Sequence, residues 1–236
     1  MAPIKILRFG EIPYGQALAL QLQLRKQVYE NDIPGFVILL QHPPVITLGK
    51  RGKVDDIFQP KALGKLGAQL FKIDRGGEAT YHGPGQLVIY PILHLERVKL
   101  GVVDLVRGLS KTLADTVMDM SAVSLHYDTK LPGLWTEEEP PRKMASVGMR
   151  VSARVSTHGA AINLSSNLIP FSYFAACGMA QSPMTRLDDY RDMSTNIADF
   201  ESLFLRHFQT FLNLPFEESD YKLPKKEDWI QPELIF

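Results

Sequence analysis

From Gly101 to Met120 the apolar residues Val102, Leu105, Val106, Leu109, Leu113, Val117 and Met120 recur at three- and four-residue intervals, the period of one helix face. Asp104 stands near the positive N-terminal end of that segment, where an acidic side chain is favoured. The spacing predicts a helix. A second helix is predicted over Ile197–Leu212, where Ile197, Phe200, Phe204, Phe208 and Phe211 build an aromatic stripe behind the capping residues Thr195 and Asn196. Such a stripe belongs in a core. Between Tyr14 and Asn31, Leu18, Leu20, Leu22, Leu24 and Val28 suit a helix, although their alternation with glutamine also suits a strand; the Ala, Leu and Gln content favours helix.

Strand patterns fill the space between these helices. The runs "GFVILLQH" (35–42) and "PPVITLG" (43–49) are short and apolar, and the proline pair between them must interrupt regular pairing. "LFKIDRGG" (70–77) and "QLVIYPIL" (86–93) read as two more strands. Over residues 147–157, Met149, Val151, Ala153 and Val155 alternate with Arg150, Ser152, Arg154 and Ser156, which predicts one long strand or a hairpin bending near Ser152. Strands cluster at 35–93 and 133–165, with helices before, between and after. That order predicts an α+β fold with a mixed, mostly antiparallel sheet packed with helices, not a regular βαβ repeat. No internal repeat or linker is evident, so residues 1–236 are expected to form one catalytic domain, with residues from about 215 as a C-terminal extension.

Composition narrows the function. The chain carries 26 basic and 26 acidic side chains, which gives no general field for nucleic acid or a membrane surface. The N-terminal "MAPIKILRFGEIPYG" lacks the apolar core of a signal peptide, and no apolar run approaches the roughly 20 residues that span a bilayer. A soluble, cytoplasmic protein is expected. A single cysteine, Cys177, excludes an intrachain disulfide and is read either as a small buried hydrophobe or as a reactive thiol.

The most unusual stretch is "RGGEATYHGPGQ" (75–86). Gly76, Gly77, Gly83 and Gly85 permit positive φ and close approach of a ligand to the main chain, beside the fixed charge of Arg75. The stretch has neither the Gly-Lys-Ser/Thr of a phosphate loop nor dinucleotide-fingerprint spacing. It reads as a strand-to-strand loop that either turns tightly or cradles a ligand, and Arg75, Thr80 and His82 together favour the cradle.

A nucleophilic Cys177 needs a base or cation beside it. The sequence offers Lys143 in "PRKMASVG", His158 in "STHGAAIN" and His82, and does not rank them. A desolvated lysine would serve as a base as well as an imidazole would. The six histidines are scattered, without a close pair or companion cysteines, so no metal is assigned and no cofactor is expected. "GKRGK" (49–53), with Arg142 and Arg150, is either a basic rim that steers an acidic partner or an ordinary solvated surface.

Taken in order, "LLQHPPVITLGKRG", "DRGGEATYHGPGQLVIYPIL", "GLWTEEEPPRKMASVGMRV", "STHGAAINLSSNL" and "FAACGM" closely resemble the octanoyltransferases of lipoate biosynthesis, the LipB family, over roughly residues 35–180. The resemblance implies the fold shared by biotin and lipoate protein ligases. It implies transfer of an octanoyl group from octanoyl-acyl carrier protein to a lysine of lipoyl domains, those of 2-oxoacid dehydrogenase complexes and the glycine cleavage H protein. It further implies that Cys177 carries the acyl group as a thioester and that Lys143 tunes its protonation. The substrate-binding positions it implies are Arg75, Gly76, Gly77, Glu78, Ala79, Thr80, Tyr81 and His82, then Ser146, Val147 and Gly148, then Gly159, Ala160 and Ala161. The family usually has proline before the cysteine, where this chain has Ala176.

Overall fold

The computed structural model describes residues 2–175 and 183–236. Its strands are β1 (Ile4–Glu11), β2 (Gly35–Gln41), β3 (Val45–Leu48), β4 (Gln69–Lys72), β5 (Ala79–His82), β6 (Gln86–Leu93), β7 (Leu125–Asp128), β8 (Gly133–Thr136), β9 (Lys143–Ser152), β10 (Val155–Asn163), β11 (Phe216–Glu218) and β12 (Leu234–Ile235). The α-helices are α1 (Tyr14–Glu30), α2 (Pro60–Lys65), α3 (Val102–Ser121) and α4 (Ile197–Leu212). Among the described residues the strands form a large sheet, in the order β11-β1-β2-β6-β10-β9-β8-β7, and a small one, β12-β4-β3-β5. β1–β2, β1–β11 and β3–β4 pair in parallel and the remaining pairs are antiparallel, so the mixed, mostly antiparallel α+β expectation holds.

The proline pair sorts the two apolar runs into different sheets. β2, before Pro43, lies in the large sheet and β3, after Pro44, in the small one. Proline lacks an amide hydrogen, and two in succession remove adjacent ladder donors, which interrupts the strand here.

The ambiguous leucine ladder is a helix, α1. Ala17, Leu20, Leu24 and Val28 are fully buried while Leu22 is 37% exposed, the outcome of a 3.6-residue period and not of a two-residue one. This face packs on Phe36, Ile38, Leu40, Val88 and Tyr90 of the large sheet. The opposite face is covered by α3, through Leu105, Leu109, Leu113 and Val117, and by α4, through Phe200, Phe204 and Phe208. The Asn196 side chain accepts from the Ala198 amide at 2.9 Å and caps α4 at its expected start.

Residues 143–163 are the hairpin and not one long strand. β9 and β10 join at Ser152↔Val155 through Ala153 and Arg154, both at positive φ (49° and 65°), the backbone of a two-residue primed turn. The glycine-rich stretch departs from a pure loop. Its centre, Ala79–His82, is β5, paired antiparallel to β3, because Thr80 and Tyr81 favour extended backbone and only the flanking glycines bend it. C-terminal to α4, β11 pairs with β1, the Ile230 amide bonds the Gly15 carbonyl at 3.2 Å, and β12 pairs with β4. Among the described residues no helix is long and apolar enough to cross a membrane.

Candidate active site

β9 and β10 run antiparallel in a register that sets Gly148 opposite Gly159, Val147 opposite Ala160 and Ser146 opposite Ala161. Two separate tripeptides thus become three adjacent rungs of one sheet wall; Val147 and Ala160 turn their side chains into the α3–α4 core, and the small residues Ser146, Gly148, Gly159 and Ala161 leave space on the other face. The facing wall comes from the small sheet and its loop: Arg75, Gly76, Gly77, Glu78, Ala79, Thr80 and His82. Between the walls lies a cleft of about 710 Å³, open to solvent. Tyr81 is not in it; strand alternation turns its ring into the small-sheet core, edge-on to Phe171 at 5.5 Å.

Lys143, the first residue of β9, lines the cleft and is wholly buried. Its Nζ donates to the Pro132 carbonyl at 2.8 Å and lies 5.5 Å from the centre of the Trp135 ring. Its main chain is tied on both sides, the amide to the Pro183 carbonyl (2.7 Å) and the carbonyl to the Thr185 amide (2.9 Å). Cys177 lies outside the described residues, six positions before Pro183 on the same strip of chain.

Arg75 is buried, and its guanidinium turns back onto the protein. It donates to the Thr47 carbonyl (2.8 Å) and hydroxyl (3.0 Å), to the Glu78 carbonyl (2.8 Å) and to the Gly76 carbonyl (2.9 Å). These bonds hold the glycine loop in shape, with Gly77 at φ +92°, a region a side chain disfavours.

The cleft is also lined by residues that carry no functional signal in the sequence: Tyr14 from the start of α1, and Val88 and Tyr90 from β6. Their hydrogen bonds fix which atoms can donate. The Ile12 carbonyl must receive a proton from His42 Nδ1 (2.8 Å), so Nε2 of that ring accepts from the Tyr90 hydroxyl (2.9 Å). Gln86 gives its amide hydrogens to the Tyr81 carbonyl and Asn163 Oδ1, so its Oε1 accepts from His82 Nδ1 at 2.7 Å. Burial pushes His42 down to about 4, and burial reinforced by nearby His42 pushes His82 down to about 3, so both rings are neutral near pH 7. Tyr90 lies in a wholly apolar-looking strand, and only its hydroxyl, buried in the company of His42, marks it.

His158, next to Gly159, also lines the cleft, and its Nε2 donates to Asp74 Oδ1 at 3.1 Å. The bond from His158 holds the Asp74 carboxyl below its ordinary value, and burial lowers His158, so the pair is a carboxylate and a neutral imidazole. Of the basic residues considered for a rim, Arg51 lines the cleft and pairs with Glu78 (3.5 Å), Arg142 pairs with Glu138 (2.7 Å), and Arg150 pairs with Asp74. Among the described residues no three His, Cys, Asp or Glu gather as a metal would require.

Residues 13–209 match the family model of the lipoyl protein ligase A/B catalytic domain. The chain belongs to that family. The octanoyltransferase of Alkaliphilus metalliredigens is 35% identical over 187 residues, covering 79% of this chain and 84% of the relative. That of Solibacter usitatus is 36% identical over 202 residues, covering 85% and 89%. Within the family the chain therefore groups with the octanoyltransferases and is an acyltransferase. Among solved structures, lipoate-protein ligase A bound with ATP superposes with a TM-score of 0.77 at 15% identity, over 97% of this chain and 91% of that one. The biotin protein ligase of Aquifex aeolicus in complex with biotin and ATP gives 0.54 at 12% identity, over 89% and 70%. These likenesses establish the ligase-type fold.

Proposed function

We propose that this acyltransferase moves an octanoyl group from octanoyl-acyl carrier protein to a lysine of lipoyl domains, through a thioester on Cys177. The observation that carries the reading is the seat of Lys143. This buried lysine opens into the cleft, and its main chain is bonded to the strip of chain that leaves Cys177. Six positions separate Cys177 from Pro183, a stretch that spans at most about 20 Å, so the chain length permits the thiol to act beside Lys143.

In this mechanism Lys143 takes the Cys177 proton and the thiolate attacks the octanoyl carbonyl carbon. The tetrahedral oxyanion collapses with cleavage of the donor C–S bond, and the departing carrier thiolate receives the proton from Lys143. The lipoyl-domain amine then attacks the acyl-enzyme, the second C–S bond breaks, and the amine's proton passes through Lys143 to the Cys177 sulfur. Exchange between thioesters is nearly balanced and the final amide is the more stable bond, so no nucleotide is consumed. The octanoyl chain lies along the Ser146–Ala161 and Gly148–Gly159 rungs, where burial of its methylenes at about 0.8 kcal/mol each contributes roughly 5 kcal/mol before costs. Acceptors are the lipoyl domains of 2-oxoacid dehydrogenase complexes and the glycine cleavage H protein, met in the cytoplasm.

The test is intact-protein mass after mixing with octanoyl-acyl carrier protein, without ATP, for wild type and Cys177→Ala. An octanoyl increment on wild type alone, discharged by added lipoyl domain, is expected. An increment on both proteins, or on neither, overturns the cysteine-linked mechanism, and product formation only with ATP and free octanoate assigns ligase chemistry instead.

A further inference from the structure

Asp74 stands at the root of the glycine loop, between the end of β4 and Arg75. Its carboxylate bridges two strands of the other sheet: Oδ1 accepts from His158 Nε2 on β10 at 3.1 Å, and Oδ2 pairs with Arg150 on β9. These strands carry Gly159 and Gly148, the rung on which the Gly76 carbonyl packs. Other bonds of the loop hold it to the small sheet. Arg75 grips Thr47 and the loop's own carbonyls, and residues 49–51 give their amides to Glu78, Arg75 and Gly77, all on the small-sheet side. At its start the loop meets the large sheet through the Gly76 amide and the Met149 carbonyl, at a long 3.3 Å, and at its end through the Gly85 carbonyl, which accepts from the Leu164 and Ser165 amides. Asp74 is thus a side-chain tie between the two walls, beside the packing of the Gly76 carbonyl on Gly148.

His158 is built for this contact at a cost to the backbone. It is a non-glycine residue at φ +58°, a placement that persists only when its surroundings hold it. Its amide is fixed by Gln21 Oε1 at 2.7 Å, and its side chain is 4% exposed. With the Nε2 hydrogen committed to Asp74, the ring is oriented by two fixed points.

We propose that Asp74 and His158 are positioning residues that hold the glycine loop at the distance from Gly148 and Gly159 that grips the acyl chain. The proposal rests on the acyl-transfer reading for its consequence, and on the Asp74 contacts for its mechanism. It assigns neither residue a part in bond making. Loosening the latch widens the slot, weakens the hold on the octanoyl group and leaves the chemistry at Lys143 in place.

Asp74 is about half exposed, so its variants are expected to fold. Asp74→Ala removes both contacts, and Asp74→Asn keeps an acceptor for His158. Two readouts are taken on the full chain: amide hydrogen exchange over residues 75–80, and the rate of octanoyl transfer from octanoyl-acyl carrier protein at varied donor concentration. In Asp74→Ala, exchange over the loop rises and the donor KM rises roughly tenfold, with kcat within about threefold of wild type, since a misplaced wall costs binding before chemistry. Asp74→Asn recovers most of both. Unchanged exchange in Asp74→Ala overturns the latch whatever the activity, and raised exchange with an unchanged KM overturns its role in gripping the acyl chain. An Asn variant no better than Ala overturns the part given to His158. Should wild type transfer no octanoyl group, the acyl-transfer reading fails on its own, and the exchange comparison still decides whether Asp74 holds the loop.

Discussion

The main chain of Lys143 is hydrogen-bonded to Pro183, amide to carbonyl at 2.7 Å, with the Thr185 amide returning to the Lys143 carbonyl at 2.9 Å. A buried lysine is thereby fixed at the mouth of the strip that leads back to Cys177. Its side chain contributes function at the expense of stability, because taking an amine out of water costs free energy that an apolar side chain of similar volume does not incur. Lys143→Met, which keeps the volume, is expected to abolish octanoyl transfer by at least about a hundredfold, the scale of a lost proton-transfer group. Thermal unfolding of the same variant should show a Tm equal to or above wild type. A large drop in Tm would mean that the lysine is structural.

Gly159 lies against β6 so closely that a Cβ would overlap the Ile89 carbonyl oxygen and stand 2.7 Å from Pro91 Cδ. Both obstacles are held by the ladder, so the strands must part. Gly159→Ala is expected to cost about 1–3 kcal/mol of stability, the range for overpacked sites, and to disturb the cleft wall. Gly10→Ala is the control, since nothing lies within 4 Å of its Cβ position. Urea midpoints of the two variants decide the matter: equal values would remove close packing as the reason for glycine at 159.

α3, α4 and the β9–β10 hairpin were legible because their apolar positions keep one period over many residues and their ends carry Asp104, Asn196 or a sharp bend. α1 needed composition to outweigh a misleading alternation. The small helix α2 carries too short a pattern to be seen, β1 mixes Ile4, Ile6 and Leu7 with Lys5, Arg8 and Glu11, and β5 was hidden inside the glycine run. The rungs Gly148–Gly159 and Ser146–Ala161 became evident only through register, a long-range property that no local window holds. The deep pair His42 and Tyr90 could not be read from sequence, because the bond that joins them spans 48 positions and each sits in an apolar run. Glycine loop, lysine and tripeptides were legible as a set through their combined resemblance to one family.

His42 and His82 make stability fall in acid. Folded, they protonate only near 4 and near 3, whereas unfolded imidazoles do so near about 6.5. Below about pH 6.5 the unfolded chain binds more protons than the folded one, so stability present at neutral pH is lost as the pH falls toward these folded values. The uptake on unfolding attributable to these rings approaches two protons near pH 5. Urea midpoints at pH 7.5, 6.0 and 5.0 should decline accordingly, and His42→Asn should flatten the slope by about one proton. An identical slope in that variant would show that His42 does not carry the effect.

Arg75 is expected to act through the loop's shape and not through its net charge. Its guanidinium reaches the Thr47 carbonyl and hydroxyl and the Gly76 and Glu78 carbonyls at 2.8–3.0 Å, a fan of donors that a planar fork provides and an ammonium does not. Arg75→Lys keeps the charge and leaves some of these buried carbonyls without a donor, each costing about 1–3 kcal/mol if nothing replaces it. The variant should lose octanoyl transfer by tenfold or more while the salt dependence of the remaining rate stays as in wild type. A long-range attraction for an acidic partner would behave in the opposite way, surviving the change to lysine and fading with added salt. Transfer rates of both proteins at low and high ionic strength therefore separate the two roles, and a lysine variant as active as wild type would assign Arg75 to charge alone.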